Sequence, residues 1–199
     1  MLMSNFSDSS FEAGIDEAGR GSLAGPVTAA AVIFPKNYKN DALNDSKRLS
    51  EKKRIELRQI IENDSIDFAV CSIASSIIDE INILNSTFKA MHGALSNLKI
   101  IPEFILVDGN RFNNFKNIDH KCIVKGDSKY QNIAAASILA KTYRDLYMIE
   151  QHNHFPYFGW DKNKGYGTKY HINSIFKHGL TKLHRKSFTI KKSQIKLEL

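Results

Sequence analysis

Four acidic residues lie at the predicted ends of strands or at the start of a helix, where side chains from different elements can meet. Asp16 and Glu17 end the first predicted strand, Asp108 ends another, and Asp127 opens a helix after a third. Three or four carboxylates can hold Mg²⁺ or Mn²⁺ ions, which activate water and stabilise the leaving oxygen of a phosphodiester. The positive end of the helix dipole would also favour an ionised Asp127. The pattern therefore predicts a divalent-metal site suited to phosphodiester hydrolysis.

A fifth acid, Asp145, competes with Asp127 for the fourth position. It lies further along what we predict to be the same helix, and the α-helical rise separates the two by roughly 27 Å. One metal centre cannot include both, so we interpret Asp145 as structural. Asp16 and Glu17 raise another difficulty, because neighbours in a regular strand point to opposite faces; the strand must twist or end there. In a chain with 21 acidic residues, spacing alone does not separate a shared site from incidental acids, and Asp127 could be an ordinary helix cap.

Strands and helices alternate along the chain after an opening pair of strands, which indicates an α/β fold with a mixed sheet. Strands are predicted at residues 11–16, 27–34, 66–74, 104–108 and 121–124. Helices are predicted at residues 51–63, 79–98 and from about 125 to 151. Helical spacing of apolar residues predicts buried faces that include Ile55, Ile60, Ile61, Ala90, Met91, Ala94, Leu95, Ile133, Ala136, Ala140 and Leu146.

A length of 199 residues suits one domain. We place this domain at residues 11–190, with a flexible lead at 1–10, a helix-and-loop segment from about 152 and a basic tail at 191–199. The net charge of +7 and the sequence pI of about 9.3 favour a polyanionic partner. Nucleic acid fits, because lysine and arginine side chains laid along phosphates displace counterions.

Cys71 and Cys122 lie in apolar runs predicted as strands, so we expect free thiols and a reducing compartment. The first ten residues lack a signal-peptide core, and no apolar run is long enough to span a bilayer. We therefore expect a soluble, cytoplasmic monomer. Histidines cluster in the C-terminal quarter without cysteine or a zinc-hydrolase motif, so we interpret them as packing or facing phosphate: His152, His154, His171, His178 and His184.

The segment GIDEAGRGSLAGPVTAAAVI (14–33) closely resembles the opening signature of the ribonuclease HII family. Further motifs follow in family order: NDSKRLS (44–50), VDGN (107–110), KGDSKYQNIAAASILAKTYRD (125–145), GYGT (165–168) and HRKSF (184–188). The resemblance implies a ribonuclease H-like fold, with a central mixed sheet flanked by helices and a C-terminal helical segment. It also implies an endoribonuclease that hydrolyses the RNA strand of RNA/DNA hybrids and incises duplex DNA 5′ of embedded ribonucleotides. Two divalent ions, Mn²⁺ or Mg²⁺, and 5′-phosphate and 3′-hydroxyl products are implied as well.

The resemblance also implies roles for individual residues. Gly19, Arg20 and Gly21 match a segment that contacts the ribonucleotide 2′-hydroxyl and the adjoining phosphate, which suits glycine because backbone amides can come close to the sugar. Tyr166 matches a tyrosine that stacks on the deoxyribose after the ribonucleotide, although family members often have proline where Gly167 stands. The family's catalytic and metal-binding acids match Asp16, Glu17, Asp108 and Asp127.

Ser46, Lys47 and Lys125 are predicted to contact phosphate or support the site, with plain solvation as the alternative. The tail QIKLEL (194–199) is faintly similar to peptides that dock on the replication sliding clamp, the alternative being a solvated tail. Three other functions remain open: the sister enzyme ribonuclease HIII, which lacks the arginine matched by Arg20, a DNA junction resolvase of the same fold, and a non-catalytic nucleic-acid-binding module. Four intact motif acids speak against the last, because unpaired carboxylates repel phosphate.

Overall fold

Residues 2–43 and 49–190 are described by the computed structural model, and within them five strands form one mixed sheet. The strands are β1 (Glu12–Ala18), β2 (Val27–Ile33), β3 (Asp67–Ile73), β4 (Phe104–Asp108) and β5 (Asp119–Ile123). They lie in the order β3-β2-β1-β4-β5. The pairs β1–β2 and β2–β3 are antiparallel, whereas β1–β4 and β4–β5 are parallel. The predicted α/β fold with a mixed sheet is confirmed.

Helices cover both faces of this sheet. They are α1 (Glu51–Asp64), α2 (Ser75–Asn97), α3 (Gln131–His154), α4 (Trp160–Asn163) and α5 (Lys169–His178). α2 packs on one face, and α1 and α3 pack on the other. The C-terminal segment forms a small cluster of its own, in which Trp160 packs with Met148 of α3. No helix in the described part of the chain is long and apolar enough to cross a membrane.

β1 is the central strand, and its residues alternate between the two faces. Ala13 and Ile15 join the core beneath α2, whereas Gly14 lies against α3. A Cβ atom at Gly14 would clash with the backbone of Asn132 and Ile133. Strand and helix therefore approach to backbone contact, and this approach fixes the first turn of α3 beside the end of β1.

Two of the predicted helix faces were partly wrong. In α1, Ile61 is buried together with Leu57, but Ile55 and Ile60 are 42% and 37% exposed. Because α1 packs mainly on α3 and not on the sheet, only a narrow stripe of its surface is covered. Leu146 in α3 was also predicted to be buried and is 43% exposed, beyond the part of the helix that the sheet covers.

Residues 2–10, predicted as a flexible lead, make specific contacts with the domain. The N–H of Met3 donates to the carbonyl of Lys129 at 2.8 Å, and the N–H of Gln131 donates to the carbonyl of Met3 at 2.9 Å. The carboxylate of the buried Glu12 accepts the N–H of Ser7 at 2.6 Å. The first residues thus hold the start of α3 in place.

Cys71 in β3 and Cys122 in β5 are free thiols, as predicted. Both pack at the margin of the core beneath α2. Burial raises the pKa of each thiol, so both stay protonated at neutral pH.

Candidate active site

Three of the predicted acids meet where β1 and β4 end. The parallel pairing of these strands stops at Ile15 and Val107, which leaves a gap beyond it. Asp16, Glu17 and Asp108 line a cavity of about 240 Å³ in this region. β1 stays paired with β2 beyond Glu17, so the strand does not end there as expected. The two neighbouring acids reach the same cavity because it lies at the end of the strand pair and not over one face of the sheet.

Asp16 is the buried member of this group, with 4% of its surface exposed. Burial raises the pKa of Asp16 well above its ordinary value, and repulsion from Glu17 and Asp108 raises it further. Hydrogen bonds from the Ser137 hydroxyl and from the N–H of Glu17, the latter at 2.6 Å, oppose this shift. A divalent cation would relieve the repulsion, and an all-oxygen donor set suits Mg²⁺ or Mn²⁺.

Glu17 also contacts the side chain of Arg20. Nη1 of Arg20 lies 3.1 Å from Oε1 of Glu17, and the arginine side chain is half exposed. An exposed pair of this kind adds little stability, so the guanidinium stays available to a phosphate. Both residues line a second cavity of about 360 Å³, whose wall includes Asp108 and the apolar Phe88 and Met91 of α2.

Asp127 does not open the long helix, contrary to the prediction. α3 begins at Gln131, and Asp127 lies in a short 3-10 turn, Gly126–Ser128, that precedes it. This turn lies beside Asp108, since the N–H of Gly126 donates to Oδ1 of Asp108 at 2.7 Å. Asp127 is buried but is not among the residues that line the two cavities. The helix dipole therefore does not favour an ionised Asp127 as predicted, and what supports this residue is the contact of its neighbour Gly126 with Asp108.

Asp145 lies in α3 and so does not share a helix with Asp127, which removes the basis of the 27 Å estimate. The carboxylate of Asp145 is buried and accepts a hydrogen bond from Nζ of Lys141 at 2.7 Å. Lys141 itself lines the smaller cavity. The contact supports the structural interpretation of Asp145, because it holds a lysine beside the acids.

The acids approach one another without forming a finished metal site. Across residues 2–43 and 49–190, no three His, Cys, Asp or Glu side chains are arranged as a complete set of metal ligands. The cavity nevertheless brings together Asp16, Glu17 and Asp108, whose oxygen atoms are of the kind that hard divalent ions prefer.

Sequence reasoning missed two cavity residues on α3. Ser137 and Lys141 are four residues apart, so they lie on the same face of the helix, and both line the smaller cavity. Asp145 continues the same row by one more step. Ser137 interrupts the apolar run 133–140, and polar residues four and eight positions further along were the signal that could have revealed this row.

The turn Gly19–Gly21 follows β1, and its first two residues, Gly19 and Arg20, line the same cavity. Gly19 has φ of +90°, and a Cβ atom there would clash with Arg144, so both backbone and packing demand glycine. Gly21 lacks a positive φ, and a Cβ atom added there meets nothing within 4 Å. The fold therefore does not require glycine at position 21. The absence of a side chain there leaves open space on the exposed side of the turn.

Tyr166 lines the same cavity as the acids. Its ring centroid lies 5.3 Å from Nζ of Lys141 and 5.2 Å from the guanidinium carbon of Arg144. Its carbonyl oxygen accepts the N–H of Thr168 at 2.8 Å and Nδ1–H of His171 at 2.9 Å. The ring is thus held by cationic neighbours and its backbone by two hydrogen bonds.

His171 belongs to a buried network with His184 and Trp160. Nε1–H of Trp160 donates to Nε2 of His171 at 3.0 Å, so His171 carries its proton on Nδ1. Nδ1 of His184 accepts the N–H of Thr181 at 2.9 Å, so His184 carries its proton on Nε2, which lies 3.1 Å from Nε2 of His171 and shares that acceptor with Trp160. Burial lowers the pKa of both histidines, that of His184 to about 4. For these two histidines, the predicted packing role is confirmed.

Lys125 lies outside the two cavities described above. It is exposed and has a left-handed backbone with φ of 56°. Ser46, Lys47 and the tail at 194–199 lie outside the described residues, so their roles stay predictions.

Comparison with known proteins matches nearly the whole chain to one family. The family model described as ribonuclease HII matches residues 13–191. Ribonuclease HII of Christiangramia forsetii is 56% identical over 186 residues, which cover 94% of each chain. Ribonuclease HII of Bacteroides thetaiotaomicron is 53% identical over 190 residues, covering 96% of this chain and 95% of the relative.

Solved structures agree with the sequence matches. The crystal structure of ribonuclease H2 from Pyrococcus horikoshii has a TM-score of 0.75 and 25% identity, covering 89% of this chain and 93% of that one. Bst-RNase HIII in complex with Mn²⁺ has a TM-score of 0.67 at 17% identity, covering 90% of this chain and 67% of that one, and shows the fold alone. The chain therefore belongs to the ribonuclease HII family and is an endonuclease of the ribonuclease H type.

Proposed function

We propose that this endonuclease cuts the RNA strand of RNA/DNA hybrids and cuts duplex DNA on the 5′ side of an embedded ribonucleotide, leaving 5′-phosphate and 3′-hydroxyl ends. One observation carries the proposal: Asp16, Glu17 and Asp108 line a cavity that the turn Gly19–Gly21 and Tyr166 border. The acids supply groups for hydrolysis, while the turn and the ring supply groups for recognising a sugar.

We assign metal binding to Asp16, Glu17, Asp108 and Asp127. Carboxylate oxygens are the ligands that Mg²⁺ and Mn²⁺ prefer, and the similarly folded Bst-RNase HIII has been crystallised with Mn²⁺. Two divalent ions would activate a water molecule and stabilise the leaving 3′-oxygen. Asp16 and Asp108, from adjacent parallel strands, would hold the ions, with Glu17 and Asp127 as further ligands.

Recognition of the ribonucleotide is assigned to the Gly19–Gly21 turn, because the 2′-hydroxyl is the group that separates RNA from DNA at a given position. The half-exposed Arg20 offers a fork of donors to the adjoining phosphate. The ring of Tyr166 would stack on the deoxyribose that follows. The net charge of +7 favours a polyanionic duplex, and Lys125 would add a phosphate contact at its edge.

The variant Asp108→Asn tests the proposed metal site. Asparagine keeps the shape and can still accept the N–H of Gly126, so the fold should persist. We expect cleavage of a labelled RNA/DNA hybrid to fall at least about 1,000-fold with either Mg²⁺ or Mn²⁺, while hybrid binding changes less than about threefold. Asp119→Asn, at an exposed position on β5, is the matched control and should cut normally. Cleavage by Asp108→Asn at the wild-type rate would overturn the metal site but not the family membership.

The fourth ligand is tested by comparing Asp127→Asn with Asp145→Asn. We expect Asp127→Asn to raise the metal concentration needed for half-maximal cleavage, because a ligand is lost. Asp145→Asn should lower the rate by releasing Lys141 but leave that metal concentration unchanged. The reverse pattern would make Asp145 the ligand.

A further inference from the structure

Two buried arginines lie behind the Gly19–Gly21 turn. Arg185 is 2% exposed and Arg144 is 1% exposed. In the part of the chain that the structure describes, neither guanidinium forms a salt bridge with a carboxylate. A buried charge of this kind is costly unless its N–H groups find acceptors, so nearby carbonyl groups must stay turned toward it.

Arg185 binds the carbonyl groups of the turn itself. Its Nη2 donates to the carbonyl of Gly19 at 2.7 Å, and its Nη1 donates to the carbonyl of Arg20 at 2.8 Å. Nε and Nη2 also donate to the carbonyl of Gly25, at 3.0 and 2.9 Å. Arg144 serves flanking groups instead, which are the carbonyls of Ala24, Pro26 and Lys164 and the hydroxyl of Ser22.

These hydrogen bonds fix the direction of the neighbouring amide groups. In a planar trans peptide, the carbonyl of one residue and the N–H of the next point in opposite directions. Since Arg185 draws the carbonyls of Gly19 and Arg20 inward, the N–H groups of Arg20 and Gly21 must point outward. Both residues are exposed, and within the described residues neither N–H donates to another group. Two amide donors thus stand open beside the cavity.

We propose that Arg185 is a positioning residue for ribonucleotide recognition, holding the turn so that the N–H groups of Arg20 and Gly21 face the 2′-hydroxyl. The inference rests on the proposed function of the turn, and it identifies the side chain that keeps the turn in the conformation that contacts the 2′-hydroxyl. It gives the C-terminal HRKSF motif a role in the site, although Arg185 is 166 residues away from Gly19 in sequence.

The segment that carries Arg185 is itself anchored. The N–H of Arg185 donates to the carbonyl of Leu23 at 2.8 Å. The carboxylate of Asp79 accepts the N–H of Lys186 at 3.0 Å and the N–H and hydroxyl of Ser187 at 2.9 and 2.6 Å. Burial lowers the pKa of Arg185 to about 9, so the guanidinium still carries all its donors at neutral pH. The arginine is therefore a fixed support rather than a mobile side chain.

The variant Arg185→Lys tests the proposal, because lysine keeps the charge but cannot bridge three carbonyls with a rigid fork. Cleavage is measured on a duplex with one ribonucleotide, and binding on an all-DNA duplex of the same sequence. We expect kcat/KM on the first to fall at least about tenfold, with the Kd for the second unchanged within about twofold, since phosphate contacts elsewhere persist. Arg58→Lys, on α1 and away from both cavities, is the matched control: its guanidinium pairs with Glu62 and stacks on Tyr143, and the substitution should change neither value.

A purely structural role would weaken binding of the all-DNA duplex as well, and that result overturns the inference. If Arg185→Lys does not fold, the inference is tested with Asp79→Asn. This variant weakens the hydrogen bonds that hold Lys186 and Ser187 but leaves the guanidinium of Arg185 in the chain, and its kcat/KM should fall several-fold. Full activity in folded Arg185→Lys, or in Asp79→Asn where that variant must serve, overturns the inference. Failure of the wild type to cut at the ribonucleotide would instead refute the proposed function.

Discussion

Lowering the pH from about 7 to about 4.5 is expected to destabilise the protein through His184. The folded chain holds the pKa of this histidine at about 4, against an ordinary value of 6.5, because burial disfavours the charged ring and the neighbouring His171 disfavours it further. In the unfolded chain, His184 therefore binds a proton near pH 6.5, whereas in the folded chain it binds that proton only near pH 4. Stability falls as the pH drops through this window and levels off below it. A shift of this size is worth about 3 kcal/mol in full, and about 2 kcal/mol at pH 4.5 once solvent screening is allowed for.

Urea unfolding followed by fluorescence measures this loss, and Trp160, the single tryptophan, lies within the network. The free energy of unfolding is compared at the two pH values for the wild type and for His184→Phe, which cannot titrate. We expect the wild type to lose about 2 kcal/mol more than the variant across this range. His154→Asn, at an exposed position, should behave as the wild type does. Equal losses in the wild type and His184→Phe would refute the assigned hydrogen-bonding pattern.

Two further predictions concern the site itself. Gly21→Ala should change the free energy of unfolding by less than about 0.5 kcal/mol, because a Cβ atom at this position meets no atom within 4 Å. The same variant should slow cleavage at an embedded ribonucleotide at least about tenfold. Unchanged cleavage would speak against a ligand beside the turn. Asp16→Asn should abolish cleavage. In metal-free buffer it should also raise the free energy of unfolding, because it removes a buried charge that Glu17 and Asp108 repel. A lower free energy of unfolding would contradict this electrostatic explanation.

Periodicity was enough to predict the sheet and the main helices, because long apolar runs and their spacing report burial directly. Periodicity failed where tertiary contacts determine the bounds of an element. The predicted helix from about residue 125 is interrupted, because Lys125 adopts a left-handed backbone and the N–H of Gly126 bonds to Asp108. The N–H of Gln131 then bonds to Met3, and α3 begins there. No local sequence pattern encodes those partners.

The residues of the site were also only partly predictable from sequence. The acids at strand ends could be found, because neighbouring parallel strands bring their ends together. The arginine that holds the turn beside these acids could not be found. Arg185 meets Gly19 across 166 residues, and a buried arginine whose hydrogen bonds, within the described residues, all go to carbonyl groups has no composition or spacing signal. Ser137 and Lys141 were within reach of helical-wheel reasoning, since their four-residue spacing continues to Asp145.

Metal-dependent cutting directed by a ribonucleotide is decided by mapping the cut on three duplexes of one sequence: all-DNA, DNA with a single ribonucleotide, and a full RNA/DNA hybrid, each with Mg²⁺, with Mn²⁺ and with EDTA. We expect one cut on the 5′ side of the single ribonucleotide, several cuts in the hybrid, none in all-DNA, and none in EDTA. Equal cutting of the all-DNA duplex would rule out direction by a ribonucleotide, and cutting that survives EDTA would rule out a divalent-metal mechanism.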